Sequence, residues 1–175
     1  LGYTESVREN NHMQVFVPFN DFAHNAQSLD TKRLNKQVVE CHQILDILLD
    51  LPTKTGKPRT GFLNHPAVNM WRGYEYELLR STVVFISECE FRGIEITTYL
   101  TKQNELYLLC NQNTSKPSWW GNDKVHKSHR YRLLQKGWEQ LLVADTVAKV
   151  ENANKVIAHY ASREWDEMFD DNLFV

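Results

Sequence analysis

An apolar stripe at helical spacing is the feature that most constrains the fold of this chain. Between Asp30 and Leu51 the apolar residues recur at steps of three and four, as Leu34, Val38, Cys41, Leu45 and Leu48. This period aligns them on one face of an amphipathic helix, which is stable when that face is buried. No segment alternates between apolar and polar residues over the length of a half-buried strand. The sequence therefore predicts an all-α fold.

Capping residues, prolines and glycines divide the rest of the chain into further helices. The predicted helices cover about residues 20–28, 30–51, 64–92, 99–110 and 122–136, with one or two more between 138 and 168. A basic loop, TKTGKPRTG, follows Pro52. The length suits one hydrophobic core, so we expect a compact single-domain bundle of about five to seven helices.

The two ends of the chain differ from its centre. Residues 1–12 show no periodicity, and we expect a disordered extension or an expression remnant, with Met13 as the natural first residue. Residues 13–137 should form the helical domain, and residues 138–175 a helical C-terminal extension with an acidic end. Residues 151–175 carry six acidic and two basic residues, whereas residues 13–150 carry 17 basic and 14 acidic residues. A modestly basic body with an acidic tail is compatible with DNA binding.

Composition excludes several classes of protein. Cys41, Cys89 and Cys110 are scattered, without the pairing of a disulfide framework or the spacing of a zinc site. No stretch reaches the roughly 18 apolar residues of a membrane span, and nothing resembles a signal peptide. P-loop, GxSxG and HExxH motifs are absent. We therefore expect a cytoplasmic monomer with no membrane association, no metal and no cofactor.

One face of the long predicted helix collects polar residues that could carry chemistry. These residues stand at i, i+3, i+4 and i+7, away from the apolar stripe, and are Arg33, Lys36, Gln37 and Glu40. The alternative is a solvated face on which a Lys36–Glu40 pair stabilises the helix by about 0.3 kcal/mol.

A carboxylate interrupts the apolar stripe of the helix predicted over residues 64–92. Glu75 lies in the middle of that stripe, where desolvation would raise its pKa unless it is paired. Arg72, three residues earlier, is an available partner. Glu75 is thus either half of a structural ion pair or a catalytic carboxylate.

Two adjacent tryptophans, Trp119 and Trp120, precede the basic helix that starts near residue 122. The cations and histidines on that helix include Lys124, Lys127, His129 and Arg130. Paired aromatic rings can stack on bases or enter a duplex, and a helix N-terminus favours phosphate. The alternative is that the tryptophans belong to the core and the charges to the surface.

Five stretches of this sequence are similar to a known family. They are MQVFVPFNDF, SLDTKRLNKQVVECHQIL, NHPAVNMWRGYEYELL, ECEFRG and PSWWGNDKVHKSHRYRLL. They resemble the pyrimidine-dimer DNA glycosylase family, and more closely its bacterial and phage branch, which is distantly related to phage endonuclease V. The resemblance spans residues 13–136, with NHPAVNMWRGYE as its most specific run, and no similarity is found from Gly137 onward.

The resemblance implies a compact helical, endonuclease V-like fold and a DNA-repair reaction. In this family the N-terminal α-amine attacks the sugar C1′ at the 5′ base of a cyclobutane dimer, which gives a Schiff base and then β-elimination of the strand. A glutamate from an early helix assists, and arginines hold phosphates. An α-amine with a pKa of about 8 is partly neutral at working pH and can act as a nucleophile without a metal.

The first departure from the family pattern concerns the amine. Met13 is followed by Gln14, which is too large to favour methionine removal, so the nucleophile would be the Met13 amine itself. That amine exists only if the chain begins at Met13, because otherwise the nitrogen belongs to a peptide bond. Lys36 is a candidate replacement amine.

The second departure concerns the essential glutamate. Its place on the early helix is taken by Leu34, Asn35 or Gln37. Either Glu75 or Glu40 then supplies the carboxylate from a different position, or this branch catalyses a different reaction. We expect Glu75 to supply it, because its surroundings should raise its pKa whereas those of Glu40 should not.

The leading hypothesis is a DNA glycosylase, with or without abasic-site (AP) lyase activity, that excises damaged or modified pyrimidines from duplex DNA. The residues expected to contact DNA are Arg33, Lys36, Gln37, Arg72, Lys127 and Arg130. The residues expected to flank the lesion are His65, Trp119, Trp120 and His129. The alternatives are a non-catalytic DNA-binding protein of the same fold, and a phage factor that acts on a host protein, with its acidic tail mimicking nucleic acid.

Overall fold

The computed structural model describes residues 13–113 and 115–136, and this part of the chain contains six helices and no strand. The helices are α1 (Phe22–Ser28), α2 (Thr31–Leu48), α3 (Pro66–Asn69), α4 (Glu75–Phe91), α5 (Thr97–Leu109) and α6 (Asp123–Gln135). The all-α prediction is confirmed. None of these six helices combines the length and the apolar run that crossing a bilayer requires. The predictions for residues 1–12 and 138–175 lie outside the described residues.

Side-chain caps start three helices where the sequence predicts them. Asp21 caps α1, Asp30 caps α2 and Asn122 caps α6, each by accepting a hydrogen bond from a first-turn N–H, at 2.7, 3.2 and 3.1 Å. Such a cap satisfies one of the N–H groups that the first turn of a helix leaves without a helical partner. Because this interaction reaches only two or three residues along the chain, a short sequence window determines it.

The core lies between α2 and α4, which pack together over much of their lengths. The predicted stripe of α2 is buried at Leu34, Val38, Cys41 and Leu45. The side chains that α4 buries include Leu78, Leu79, Phe85, Ile86 and Cys89. Burial of each large apolar side chain stabilises the fold by roughly 1.5–3 kcal/mol. Because the apolar face of α2 packs in this core, its polar face is left to contact the N-terminal segment and solvent.

The helix predicted over residues 64–92 is wrong in its first third. The short helix α3 ends at Asn69, and α4 begins only at Glu75. Between them Gly73 adopts φ +86°, a left-handed conformation that interrupts a helix and that glycine tolerates. Similarly, α2 ends at Leu48, before the predicted residue 51. The break at Gly73 leaves Glu75 in the first turn of α4 rather than in mid-helix.

An N-terminal segment, residues 13–18, has no helix or strand and packs against α2. Residues 15–17 are buried. The N–H of Phe16 donates to Gln37 Oε1 at 2.6 Å, and Gln37 Nε2 donates to the carbonyl of Gln14 at 2.9 Å. A buried segment without helical or sheet pairing must satisfy its peptide groups in another way. Here a glutamine of α2 does so.

Helix α6 holds the same segment from another side through His126, His129 and Arg130, which we call the α6 clamp. His129 Nδ1 accepts from the N–H of Val17 at 3.0 Å, and His126 Nδ1 lies 2.7 Å from the Val17 carbonyl. Arg130 Nη1 donates to the carbonyl of Pro18 at 2.6 Å. Residues 14–18 of the N-terminal segment are therefore held by hydrogen bonds from α2 and α6.

Candidate active site

A groove with a volume of about 500 Å³ opens beside the N-terminal segment. Its lining includes Met13 and, from the polar face of α2, Lys36, Glu40 and Gln43. Residues 58–61 of the basic loop and the following Phe62 line it as well. This volume lies in the range of ligand-binding clefts in proteins. Three of the four predicted catalytic residues, Met13, Lys36 and Glu40, thus share one groove.

Glu40 is a carboxylate with a tuned environment. Its side chain is 8% exposed, and burial raises its pKa to about 7. Lys36, the N–H of Gln14, Lys136 and the Gln37 amide each oppose that rise, because each favours the charged carboxylate. Near neutral pH both protonation states are populated, which suits a general acid or base. The expectation that the surroundings of Glu40 could not raise its pKa is wrong.

Gln37 links Glu40 to the N-terminal segment. It is 1% exposed, and its Nε2 donates to Glu40 Oε2 at 3.0 Å as well as to the Gln14 carbonyl. Its Oε1 is occupied by the N–H of Phe16. The prediction that Gln37 contacts DNA does not fit this burial. The side chain instead positions the carboxylate against the segment that carries Met13.

Cations gather around Glu40. Lys36 Nζ lies 3.9 Å from Glu40 Oε1, and its side chain is 53% exposed. Burial lowers the pKa of Lys136. The positive charges of Lys36, Arg33 and Arg132 add to this effect and the charge of Glu40 opposes it, so these side chains interact electrostatically. Together Arg33, Lys36, Gln37, Glu40, Arg132 and Lys136 form what we call the groove cluster. Its excess of positive charge favours an anion such as phosphate.

The position of Arg33 within the groove cluster is fixed by other contacts. Arg33 Nη1 pairs with Asp30 at 3.0 Å, and Nη2 donates to the Lys136 carbonyl at 2.6 Å. The side chain is 16% exposed, so only part of it can reach a ligand. Sequence reasoning identified Arg33 and Lys36 but missed Arg132 and Lys136, because these lie far away along the chain and only folding brings them to α2.

The basic loop after Pro52 forms part of the groove lining and is anchored. Arg59 Nη2 pairs with Asp46 Oδ2 at 2.9 Å, and Arg59 Nε donates to the carbonyl of Leu51 at 2.9 Å. Residues 51–74 contain Lys54, Lys57, Arg59 and Arg72 and no acidic residue. A local charge imbalance of this kind could have indicated an anion-binding face from the sequence.

The predicted environment of Glu75 is wrong. Glu75 is the first residue of α4 and is partly exposed, and its Oε1 accepts from the N–H of Gly73 at 3.0 Å. The expected Arg72–Glu75 ion pair is not made, since Arg72 donates to the carbonyl of Leu63 at 2.7 Å. The fully buried glutamate of this region is Glu77, which is paired with arginine and lysine side chains. Nothing in the surroundings of Glu75 favours it over Glu40 as a catalytic group.

Trp119 and Trp120 are half-buried against the protein, as the alternative interpretation expects. Trp119 Nε1 donates to the Met70 carbonyl at 2.8 Å, and its ring meets the edge of Trp71 at 5.1 Å. Trp120 packs edge-on against Phe22 at 4.9 Å. These contacts stabilise the core, and the predicted stacking of both rings on DNA bases has no support in this geometry.

The α6 residues predicted to contact DNA are also engaged inside the protein. His129 is fully buried, and burial lowers its pKa to about 3, with Arg132 and His126 adding to the effect. It is therefore neutral, as its acceptor role toward Val17 requires. Arg130 is 8% exposed and acts in the α6 clamp, and Lys127 pairs with Asp123 at 2.9 Å. The predicted positions of His129 and Arg130 on a DNA-facing surface are wrong.

His65 and Arg72 lie next to the basic loop. His65 Nδ1 caps α3 by accepting from the N–H of Ala67 at 3.1 Å, and its ring meets Phe62 at 5.7 Å. Arg72 is exposed on the surface. Both residues therefore remain compatible with a DNA-facing position, although His65 also has a structural task at its helix start.

The family model described as pyrimidine dimer DNA glycosylase matches residues 13–102 of this chain. The match begins at the N-terminal segment, includes α2 and the basic loop, and ends within α5. The resemblance seen over residues 13–136 is therefore confirmed as far as residue 102. No curated protein and no solved structure matches the chain.

Proposed function

Because this chain belongs to the pyrimidine dimer DNA glycosylase family, we propose that it excises damaged or modified pyrimidines from duplex DNA with Glu40 as its catalytic carboxylate. The observation that carries the proposal is the environment of Glu40. The side chain is buried at the groove wall, beside the N-terminal segment, with a pKa of about 7. Glu75, our expectation from sequence, lacks these surroundings and is set aside.

Glu40 has two tasks in this proposal. As a carboxylate, it stabilises the positive charge that develops on the sugar when the bond from C1′ to the base breaks. As a carboxylic acid, it returns a proton to oxygen or nitrogen as the sugar ring opens. Both forms are present near neutral pH because the group titrates there. Gln37, hydrogen-bonded to Glu40 and to the N-terminal segment, acts as a positioning residue.

An amine is required for the lyase reaction, and two candidates adjoin Glu40. The backbone N–H of Gln14 donates a hydrogen bond to Glu40. A free α-amine on Met13, the preceding residue, would therefore lie near this carboxylate. Lys36 Nζ lies 3.9 Å from Glu40 and reaches solvent. As a carboxylic acid, Glu40 would give its proton to the departing base while the neutral amine bonds to C1′. The Glu40 carboxylate would then take a proton from the new ammonium and return it to the ring oxygen, so that the sugar opens to a protonated Schiff base. Loss of a C2′ proton to the carboxylate would expel the 3′ phosphate.

Phosphate binding is assigned to the cations of the groove cluster and of the basic loop. Lys36 and Lys136 flank Glu40, and Lys54 and Lys57 are exposed on the loop that contributes to the groove lining. Contacts of this kind position a duplex without reading its sequence, and they make the affinity depend on salt. DNA lying across the groove would bring a sugar within reach of Glu40.

The experiment traps the Schiff base. A duplex with one cyclobutane pyrimidine dimer is incubated with sodium borohydride and protein that begins at Met13, and then run on a denaturing gel. A covalent adduct is expected, together with strand cleavage when borohydride is omitted. Glu40→Gln should abolish both, whereas Glu105→Gln, which changes an exposed glutamate of α5, should not.

Two further variants identify the amine. If the adduct is lost when residues 1–12 precede Met13, the α-amine of Met13 is the nucleophile. If it survives that extension but is lost in Lys36→Arg, the nucleophile is Lys36. Tight binding without an adduct or base release would contradict the proposal and would leave a DNA-binding protein without catalysis.

A further inference from the structure

Gln43 is an exposed amide of α2 in the lining of the groove. It stands three residues beyond Glu40, and both side chains line the groove. Side chains three residues apart on a helix are neighbours, with about 5–6 Å between their Cβ atoms. Because glutamate and glutamine side chains have the same length, the amide of Gln43 can reach the same ligand that the carboxyl group of Glu40 reaches.

The amide of Gln43 differs in its contacts from that of Gln37 on the same helix. Gln37 is buried, and both its oxygen and its nitrogen take part in hydrogen bonds inside the protein. Gln43 is exposed, and its amide makes no hydrogen bond with another residue in the described part of the chain. An amide offers both a donor and an acceptor. A ligand in the groove can therefore bind the Gln43 amide without breaking a contact of the fold.

The groove wall that α2 forms changes from charged to apolar along the helix. In chain order its residues include Lys36, Glu40, Gln43 and Ile47. A nucleotide presents its groups in a corresponding order, which is phosphate, sugar and base. A cation suits a phosphate, and amide and apolar groups suit the edge of a base. A nucleotide with its phosphate near Lys36 and its sugar near Glu40 therefore places its base beside Gln43.

The carbonyl oxygen O2 of a pyrimidine can meet such an amide while the base stays in the helix. It is bonded to the carbon next to N1, so it lies beside the glycosidic bond, and in a duplex it is an acceptor in the minor groove. A cyclobutane dimer is linked through C5 and C6, which leaves O2 unchanged. When the bond from C1′ to N1 breaks, its electron pair passes to the base and places negative charge on O2. A hydrogen-bond donor at this oxygen is therefore stronger in the transition state than in the ground state.

We propose that Gln43 Nε2 donates a hydrogen bond to O2 of the pyrimidine whose glycosidic bond is cleaved, an inference that rests on the proposed glycosylase function. Glu40 acts on the sugar and supplies the proton that the departing base takes up. Gln43 transfers no proton and stabilises the negative charge on the base. The contact suits pyrimidine lesions that keep O2, whether or not the ring is saturated.

The test compares a substrate that has a base to cleave with one that has none, in single-turnover reactions. The protein is used in the form that gives the borohydride adduct, either the full chain or the chain that begins at Met13. One duplex contains a cyclobutane thymine dimer, and cleavage of its glycosidic bond is measured as strand breaks after hot alkali. The other duplex contains an abasic site, and its strand cleavage is measured without alkali.

Gln43→Met keeps the length of the side chain and removes its hydrogen-bond donor. It should slow cleavage of the dimer duplex by about 10²-fold and change cleavage of the abasic duplex by less than about twofold, because only the first reaction places charge on O2. The unfolding temperature should stay the same, since Gln43 is exposed. Gln27→Met makes the same change at an exposed glutamine of α1 outside the groove lining, and neither rate should change.

The two rates separate the contact at O2 from other roles of Gln43. If Gln43→Met cleaves the dimer duplex at the full rate, the contact is overturned and the glycosylase proposal stands. An equal loss on both duplexes also overturns it, because a phosphate contact or a displaced Glu40 would affect both reactions. If the unmodified protein leaves either duplex uncleaved, the proposed glycosylase and lyase function fails, and the inference fails with it.

Discussion

The groove cluster and the α6 clamp are built from similar residue types and both contact the N-terminal segment, but their surroundings differ. In the groove cluster, Lys36 is 53% exposed and the neighbouring Glu40 lines an open groove. In the α6 clamp, His129 is fully buried and Arg130 is 8% exposed, and both bond to backbone atoms of residues 17–18. The first region can meet a ligand, whereas the second holds the chain in place.

The difference teaches that charge and aromatic content do not by themselves identify a binding surface. Both regions contain histidine, lysine or arginine next to polar groups, and both resemble DNA-contacting clusters in the sequence. The two regions differ in the hydrogen-bond partners of their side chains. When a side chain bonds to a buried peptide group, its removal destabilises the fold, and its polar atoms are not accessible to a ligand. Five expected outcomes, from the largest effect to the smallest, test this separation.

Glu40→Gln should have the largest effect. We expect the single-turnover rate of base release to fall by about 10²–10⁴-fold, because the amide can neither carry the charge nor transfer the proton. Gln can still accept the hydrogen bonds that Gln37 and the Gln14 N–H give to Glu40, so the fold should survive. Gel-resolved cleavage of a dimer-containing duplex measures the rate. A variant with the full rate would exclude Glu40 as the catalytic carboxylate.

His129→Ala should destabilise the fold by about 3 kcal/mol, because it opens a cavity and leaves the buried N–H of Val17 without its acceptor. Urea unfolding measures this free energy. Lys124→Ala, an exposed change on the same helix, is the matched control and should have little effect. Below the unfolding transition, the His129→Ala protein should still bind DNA. Lost DNA affinity in a fully folded variant would contradict the assignment of His129 to the α6 clamp.

The free energy of unfolding should respond to pH in opposite directions through these two regions. The folded-state pKa of Glu40 is about 7, above its ordinary value of 4.5. The contribution of Glu40 to the free energy of unfolding is therefore fully present below pH 4.5 and is lost as the pH rises through 7. Relative to Glu40→Gln, the unmodified protein should lose on the order of 3 kcal/mol over that range. Urea unfolding of both proteins at a series of pH values measures the difference, and a constant difference would contradict the raised pKa.

His129 should act at lower pH. Its folded-state pKa is about 3, below the ordinary 6.5, so its contribution is present above pH 6.5 and is lost progressively as pH falls toward 3. Burial of the neutral ring is the physical cause. In the same urea series, the difference in free energy of unfolding between the unmodified protein and His129→Ala should therefore become smaller as the pH falls below 6.5. A gap that widens as the pH falls would show that the ring is charged in the folded protein.

Lys36→Ala should have the smallest effect. The slope of log affinity against log salt concentration should decrease by about 1, since one phosphate contact is lost, with a similar weakening for damaged and undamaged duplexes. Lys127→Ala, which changes a lysine paired with Asp123 on α6, should leave the slope unchanged. Anisotropy titrations at several salt concentrations measure both variants. A larger slope change for Lys127→Ala than for Lys36→Ala would place the phosphate contact on α6 and not at Lys36 of the groove cluster.

The elements that can be predicted from sequence are those determined by near neighbours along the chain. The starts of α1, α2 and α6 follow from Asp21, Asp30 and Asn122, whose side chains reach the first turn of the helix that they precede. The local sequence does not determine the break at Gly73 in the same way, because a glycine inside an apolar pattern is also compatible with a continuous helix. That one error placed Glu75 in mid-helix and made it look like a buried carboxylate.

The amino-acid sequence by itself determined the helical class, the buried stripe of α2 and the family, since each depends on residue types at fixed spacings. Only the tertiary structure decided that Glu40 has a raised pKa and which cations lie around it. Burial raises the pKa of Glu40, and Lys36, the N–H of Gln14, Lys136 and Gln37 oppose that rise. Lys36 and Gln37 are near neighbours on α2, but burial and the contributions of Gln14 and Lys136 arise only once the chain has folded, because these groups are distant in the sequence and adjacent in space.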